Sequence, residues 1–371
     1  MPNMGMVMDY QVKQIAKALD AEVFGDGDIV VSGVAEPSQA TSTDIALALD
    51  AKYAADLSEG KAQVAMLWPG ADWQAMGLRA AIVAPRARFA LSGLSAMMDP
   101  GQSAPSGVHP TAVIESSATL GKEVSIGPFC YIAKDAVIGD NAQIGAQCYI
   151  GNSAQLGRDA RLREAVKIGA RVTIGDRFVA QPGVVVGGDG FSFVTPEVSA
   201  VEQVRESLGE ERGDLNAQSW SRIHSLGSVT IGDDVELGAN SCVDSGTVRD
   251  TVIGNGVKCD NLSQIGHNVQ IGNDCLICAQ VGIAGSARIG NNVVLGGQTG
   301  ISDNVFVGDH VITGGATKVL SNVPAGRVML GYPAIKMDQH IETYKALRRL
   351  PRLFQEVKKL QKAVLKPTGK N

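Results

Sequence analysis

The sequence predicts a mainly β chain: a left-handed parallel β-helix of hexapeptide repeats, with a small N-terminal α/β domain and a C-terminal α-helix. Three observations predict it. An aliphatic residue recurs every six positions from about residue 115, a glycine often follows it, and the composition is rich in glycine (44 of 371 residues) but only 5% aromatic. Glycine at that level without proline enrichment points to many tight turns, and the scarcity of aromatics to a core of Ile, Val, Leu and Ala.

The first series runs Leu120, Ile126, Ile132, Ile138, Ile144, Ile150, Leu156, Leu162, Ile168, Ile174 and on through Ala180 and Val186. The second begins at Ile231, Leu237 and Val243, slips by four, resumes at Ile253 and continues through Cys259, Ile265, Ile271, Ile277, Ile283, Ile289, Leu295, Ile301 and Val307. A period of six suits neither an amphipathic helix nor a hairpin sheet. It suits a solenoid in which each hexad is a short strand and a turn, the aliphatic points inward, and Gly, Asn and Asp take the turn conformations. Two interruptions stand out. Residues 190–223 have no period and are rich in charge, as in a long loop leaving the helix, and long loops are commonly functional. The slip between Val243 and Ile253 reads as a smaller bulge.

The preceding segment, 1–105, does not repeat. Gln11–Leu19, Lys52–Leu57 and Arg86–Met98 read as helical, and Ala21–Phe24, Ile29–Val34 and Ala62–Leu67 as strands, which makes a small α/β domain. Pro100–His109, rich in Gly, Ser and Pro, reads as a linker. The β-helix is assigned to 106–332. In 333–371 the charge changes: from Lys336 onward there are ten Lys/Arg and three Asp/Glu. Leu347, Leu350, Phe354 and Val357 form an apolar seam at helical spacing, which Pro351 is expected to kink. A lone helix is marginal in water, so this one is expected to pack, for instance against its own copies in an oligomer.

Net charge is −5, which gives no general attraction to nucleic acid. No apolar run is long enough to span a membrane, and the first residues lack a signal-peptide pattern, so a cytoplasmic protein is expected. The six cysteines read as packing thiols. Cys275 and Cys278 form a C-x-x-C without the second ligand pair a zinc site needs, so no metal and no cofactor are expected.

Few residues are suited to catalysis. There are five histidines: His109, His224, His267, His310 and His340. His267 follows the inward Ile265 by two, so it falls at a turn and faces outward. Imidazole titrates near neutrality and accepts a proton from an attacking amine or hydroxyl, although a solvated surface histidine is also compatible with that position. Acyl transfer needs an oxyanion donor as well, and a glycine backbone N–H supplies one. Gly285 lies eighteen residues on, one coil later, and is expected to stack beside His267. No P-loop, dinucleotide fingerprint or nucleophile elbow occurs, so a covalent enzyme intermediate is not suggested.

Gly187-Gly188-Asp189-Gly190-Phe191, Ile253-Gly254-Asn255-Gly256, Asp260-Asn261 and Gln264 through Asn268 together make the chain resemble, over essentially its whole length, the UDP-3-O-acylglucosamine N-acyltransferase family of lipid A biosynthesis. The resemblance implies a homotrimer with sites between neighbouring β-helices. The donor it implies is a 3-hydroxyacyl carrier protein, and the acceptor the 2-amine of UDP-3-O-acylglucosamine. It makes His267 the general base, Gly285 the oxyanion donor and Asp260 a carboxylate near the base. It makes the N-terminal domain uridine-binding, and puts Lys52, Tyr53, Asn268 and Asn304 at the substrate. The basic helix, with Arg348, Arg349 and Arg352, suits an acidic carrier protein as well as it suits plain solvation. The chain departs from the family pattern at Leu47, where an aromatic is usual, at Ser245, where an arginine is usual, and at Asn304, where a histidine is common. Alternatives are an acyltransferase for a different UDP-sugar amine or hydroxyl, a histidine-ligated metalloenzyme on the same helix, and a non-catalytic scaffold.

Overall fold

A computed structural model describes residues 9–101, 106–199, 202–203, 218–331 and 334–364. The chain divides into two compact units, Met1–Ser103 and Ala104–Asn371. In the first, helices α1 (Val12–Ala18) and α2 (Ala87–Met98) accompany a five-stranded sheet ordered Glu22–Gly25, Ala80–Val83, Val64–Leu67, Asp44–Ala48, Gly33–Ala35. The last four strands pair in parallel, and only Glu22–Gly25 runs antiparallel, against Ala80–Val83. Two of these strands, Asp44–Ala48 and Ala80–Val83, escape the sequence pattern. Both are short alanine-rich runs, a residue type that favours strands poorly and that only burial on both faces holds there. The stretch expected as a helix at Lys52–Leu57 forms two short 3-10 turns, Ala51–Tyr53 and Ala55–Ser58.

In the second unit, two-residue strands succeed one another every six positions and pair in parallel with the strand one coil on. They build three sheets of nine, eleven and ten strands. The register stacks like on like: Ile126 on Ile144, Ile132 on Ile150, Ile265 on Ile283. These side chains fill one continuous core. The register survives both interruptions, since Ile174 pairs with Ile231 and Val243 with Ile265. The structure refines the role of the repeat glycine. The left-handed corner falls two residues after it, and Asn141, Asp159, Asn268 and Asn292 there have φ between 55° and 62°. The glycine itself is required because its neighbour coil is close. A Cβ on Gly139 would lie 2.5 Å from the Gly157 carbonyl carbon, and one on Gly151 2.6 Å from Ala170 N.

Both interruptions become structure. Phe193–Val194 and Ser221–Arg222 pair antiparallel as the base of an excursion from the helix. The charged residues Arg205, Glu206, Glu210, Glu211, Arg212 and Asp214 lie outside the described residues. Helix α3 (Met337–Val364) continues through Pro351, and none of its residues is buried. Its seam residues Leu347, Leu350, Phe354 and Val357 are exposed in the single chain. Among the described residues, no helix is long and apolar enough to cross a membrane.

Candidate active site

Gln264–Ile265 is a strand of the ten-stranded sheet, and the corner that follows it carries His267 and Asn268. His267 opens on a cavity of about 780 Å³. The coil corners supply Ala284, Gly285, Ser286, Asp303 and Asn304 to its wall, and the excursion supplies Phe191, Phe193 and Trp220. The coil side is therefore polar backbone and short side chains, and the excursion's side sets three aromatic rings beside Ser199 and the carboxylate Glu202. Phe191 and Phe193 rest against each other with centroids 5.0 Å apart, and the Arg222 guanidinium covers the Phe193 ring at 4.8 Å.

The neighbour of His267 selects the tautomer of its neutral ring. Asn268 sits at the left-handed corner, φ 62°, a conformation asparagine tolerates better than most residues. Its Nδ2 donates to the Arg249 carbonyl at 2.9 Å. Its Oδ1 accepts from Thr247 N–H at 3.1 Å and from Thr247 Oγ1 at 2.8 Å. These contacts orient the amide. The same Oδ1 lies 3.0 Å from His267 Nδ1. An amide oxygen has no proton to give, so the hydrogen-bond network assigns the N–H to Nδ1 and leaves the lone pair on Nε2. A neutral imidazole with a free Nε2 beside a cavity is the form a general base needs.

The slip between Val243 and Ile253 is what grips Asn268. Thr247 and Arg249 lie in it, and so does Gly246, where a Cβ would meet the Arg249 carbonyl oxygen at 1.8 Å and Asn268 Nδ2 at 3.0 Å. Two more glycines press on the imidazole. A Cβ on Gly285 would come within 2.6 Å of His267 Cε1 and 2.7 Å of Nε2, and a Cβ on Gly190 within 2.7 Å of His267 Cβ. Gly285 thus lies directly against the ring, one coil on, as the eighteen-residue spacing predicts. Among the described residues, no acceptor takes its N–H.

Comparisons with known proteins give the family of the chain. The bacterial transferase hexapeptide family matches residues 117–152 and 250–285, and a hexapeptide repeat of succinyl-transferase matches 228–258. A UDP-3-O-acylglucosamine N-acyltransferase of Ruegeria pomeroyi is 62% identical over 97% of this chain and 99% of its own length. One from Paracoccus denitrificans is 56% identical over 97% of this chain and 98% of its own. The chain belongs to the UDP-3-O-acylglucosamine N-acyltransferase family. A more distant member, from Pseudomonas aeruginosa, is 42% identical over 75% of this chain and 73% of its own.

Within that family framework, the structure brings some expected residues together and not others. His267, Gly285 and Asn304 line one cavity. Asn268, expected at the substrate, is buried instead, with its amide engaged by Thr247, Arg249 and His267. Asp260, expected beside the base, follows Cys259 of the eleven-stranded sheet and so stands at a different corner of the coil. It lines a separate groove with Lys258, Asn261 and Leu276, and its Oδ1 accepts from Asn261 N at 2.7 Å. Asp244 is a carboxylate in electrostatic contact with His267. Burial pushes its carboxyl above the ordinary range, and Gln264 Nε2 at 3.0 Å from Oδ2 and the His267 charge pull the other way.

In the first unit, Tyr53 is exposed on its 3-10 turn, and the Lys52 ammonium lies 4.9 Å from its ring centroid. Asp50 Oδ1 accepts from Lys52 N at 3.1 Å and fixes the turn. Leu47 is part-buried against that unit's core rather than free on the surface. Arg348, Arg349 and Arg352 are exposed on α3, and Arg352 Nε bonds Glu356 Oε1 at 3.2 Å. Sequence reasoning missed Thr247, Arg249, Gly190, Asp303 and the aromatic wall as parts of the site. The four-residue slip and the Gly187–Phe191 run were the available signals for most of them. The two halves of the C-x-x-C differ in setting: Cys275 is buried and Cys278 only part-buried.

Proposed function

We propose that this chain transfers a 3-hydroxyacyl group from acyl carrier protein to the 2-amine of UDP-3-O-(3-hydroxyacyl)glucosamine, in the cytoplasm, as a step of lipid A biosynthesis. The observation that carries the reading is the Nε2 lone pair of His267, held by Asn268 against Gly285 in a cavity bordered by three aromatic rings. The amine nitrogen attacks the thioester carbonyl carbon while Nε2 takes one of its protons. The carbonyl oxygen becomes an oxyanion, for which the unclaimed Gly285 N–H is the donor. Collapse breaks the C–S bond, and the imidazolium returns its proton to the departing thiolate. The products are an amide and the free carrier thiol, and the enzyme is unchanged.

The remaining assignments belong to the same proposal. The exposed ring of Tyr53, with Lys52 beside it, suits a uracil base and its phosphates. Asn304 is a hydrogen-bonding group at the cavity mouth for the acceptor. The exposed apolar seam of α3 suits association with its own copies in a homotrimer, in which Asp260 of one copy is free to approach the site of another. Arg348, Arg349 and Arg352 suit an acidic carrier protein. The test is amide formation from 3-hydroxyacyl carrier protein and UDP-3-O-acylglucosamine, with wild type and His267→Ala compared. Loss of a general base lowers the rate on the order of 10²-fold or more. A fully active, folded His267→Ala protein would refute the mechanism. Wild type that ignores this acceptor but acylates another UDP-sugar would refute the substrate.

A further inference from the structure

The excursion does more than border the cavity: it carries Gly190 onto His267. Val186 pairs with Val243, and Val243 with Ile265, so the coil that Gly190 leaves lies two coils before the one that carries His267. Strands in such a stack are about 4.8 Å apart, so a residue that kept to the repeat there would stay roughly 10 Å from His267. Gly190 instead crosses the intervening coil and is buried against the imidazole. A Cβ on it would stand 2.7 Å from His267 Cβ, 3.1 Å from Cγ and 3.2 Å from the Ser245 carbonyl oxygen of the crossed coil. Its φ is not left-handed, so close approach rather than backbone conformation keeps a side chain out. The imidazole is thereby confined from three sides. Gly190 presses on its root, Gly285 lies against its tip at Cε1 and Nε2, and Asn268 Oδ1 lies 3.0 Å from Nδ1. Gly190 alone of the three belongs to the excursion and needs its own fastening. Its N–H donates to Ser225 Oγ at 2.9 Å, across 35 positions of sequence. Ser225 is part-buried on the returning chain, and the residues after it are tied to the slip: Leu226 N donates to the Thr247 carbonyl at 2.8 Å and Gly227 N to the Gly246 carbonyl at 3.1 Å. The slip in turn holds Asn268 through Thr247. The two departures from the six-residue period are therefore joined, and they meet at His267.

We propose that Ser225 is a positioning residue: its hydroxyl anchors Gly190 on His267 and so fixes the imidazole for proton transfer, a proposal that rests on the N-acyltransferase reading above. A histidine side chain turns about two torsions. The Asn268 contact at Nδ1 sets the plane of the ring, but a ring held at one nitrogen still swings about its first torsion. Contact at Cβ and Cγ is what limits that swing, and Gly190 supplies it. Without the Ser225 hydroxyl, the Gly190 N–H loses its acceptor. A buried N–H without an acceptor is unfavourable, so Gly190 moves toward water and off the ring. Nε2 lies on the far side of the ring from Cγ, so a swing at the root is largest at the atom that takes the proton. Ser225 is not among the residues lining the cavity, so it acts through Gly190 and not on the substrate.

The test uses the full-length protein as wild type, as Ser225→Ala, which removes the hydroxyl, and as Ser225→Thr, which keeps it. Amide formation gives kcat and KM for UDP-3-O-acylglucosamine, and thermal melting checks that each variant is folded. Ser225→Ala is expected to lower kcat about 10-fold with KM unchanged, less than the roughly 10²-fold cost of a full 1 Å misplacement. Ser225→Thr is expected to restore kcat. In a His267→Ala background, Ser225→Ala is expected to cost nothing further, because a positioning residue without its target has nothing to position. Unchanged kcat in a folded Ser225→Ala enzyme would overturn the role of Ser225 while the N-acyltransferase reading stands. A rise in KM alone would also overturn it, since that marks a contact with substrate, and so would an equal loss in the His267→Ala background. Wild type without any turnover of the amine acceptor would remove the N-acyltransferase reading, and this proposal with it.

Discussion

Gly285→Ala is the substitution most sensitive to whether His267 works where it stands. The backbone at Gly285 is not left-handed, so alanine is allowed there. Its Cβ would nevertheless lie 2.6 Å from His267 Cε1 and 2.7 Å from Nε2. Carbon and nitrogen atoms pack at about 3.5 Å or more, so the ring must move by about 1 Å. Asn268 limits that movement, because Thr247 and Arg249 hold it in turn. A misplacement of this size costs on the order of 10²-fold in rate. The Gly285 N–H survives the substitution, so the loss reports the base rather than the oxyanion donor. Gly297→Ala is the control: it has the same station on another corner, and its Cβ would meet only the Ala279 carbonyl oxygen, at an ordinary 3.4 Å. The assay is single-turnover amide formation beside thermal melting. A folded Gly285→Ala enzyme with nearly wild-type rate would refute the placement of the imidazole as base.

Other predictions concern the network behind the base. Asn268→Ala strips partners from Thr247 and the Arg249 carbonyl, and should cost about 1–3 kcal/mol in a denaturant titration. With the Nδ1 proton no longer held, kcat should fall while KM for the acceptor stays, and a KM-only effect would point instead to a substrate contact. Asp244 gives a pH signature. Its carboxyl is raised in the folded state by burial, so the stability it contributes is complete below the unfolded carboxylate value and is lost as pH rises through the folded one. Asp244→Asn should remove that slope, and melting curves across the acid range that superimpose on wild type would contradict it.

Much of this protein was legible from the chain alone. The six-residue aliphatic recurrence determined the β-helix, because one inward residue per short strand can stack on itself only in a coil of that period. The same arithmetic put Gly285 one coil from His267. The repeat glycine was visible too, but its reason was not: the close approach of the next coil, rather than a turn conformation, excludes a Cβ there. What spacing cannot convey is which corner of the coil a residue occupies once the chain has looped out. Asp260 is seven residues from His267 yet faces another groove, while Thr247 and Arg249, twenty and eighteen residues away, hold the amide that sets the His267 tautomer. Asp303 gave no sequence signal, because a lone Asp at a corner resembles every other corner polar residue. Only the stacked register brings it to the cavity. The period of the hydrophobic residues thus decided the fold, and the alignment of successive coils decided the chemistry, because hydrogen bonds and reacting groups depend on distances in space that a one-dimensional repeat does not carry.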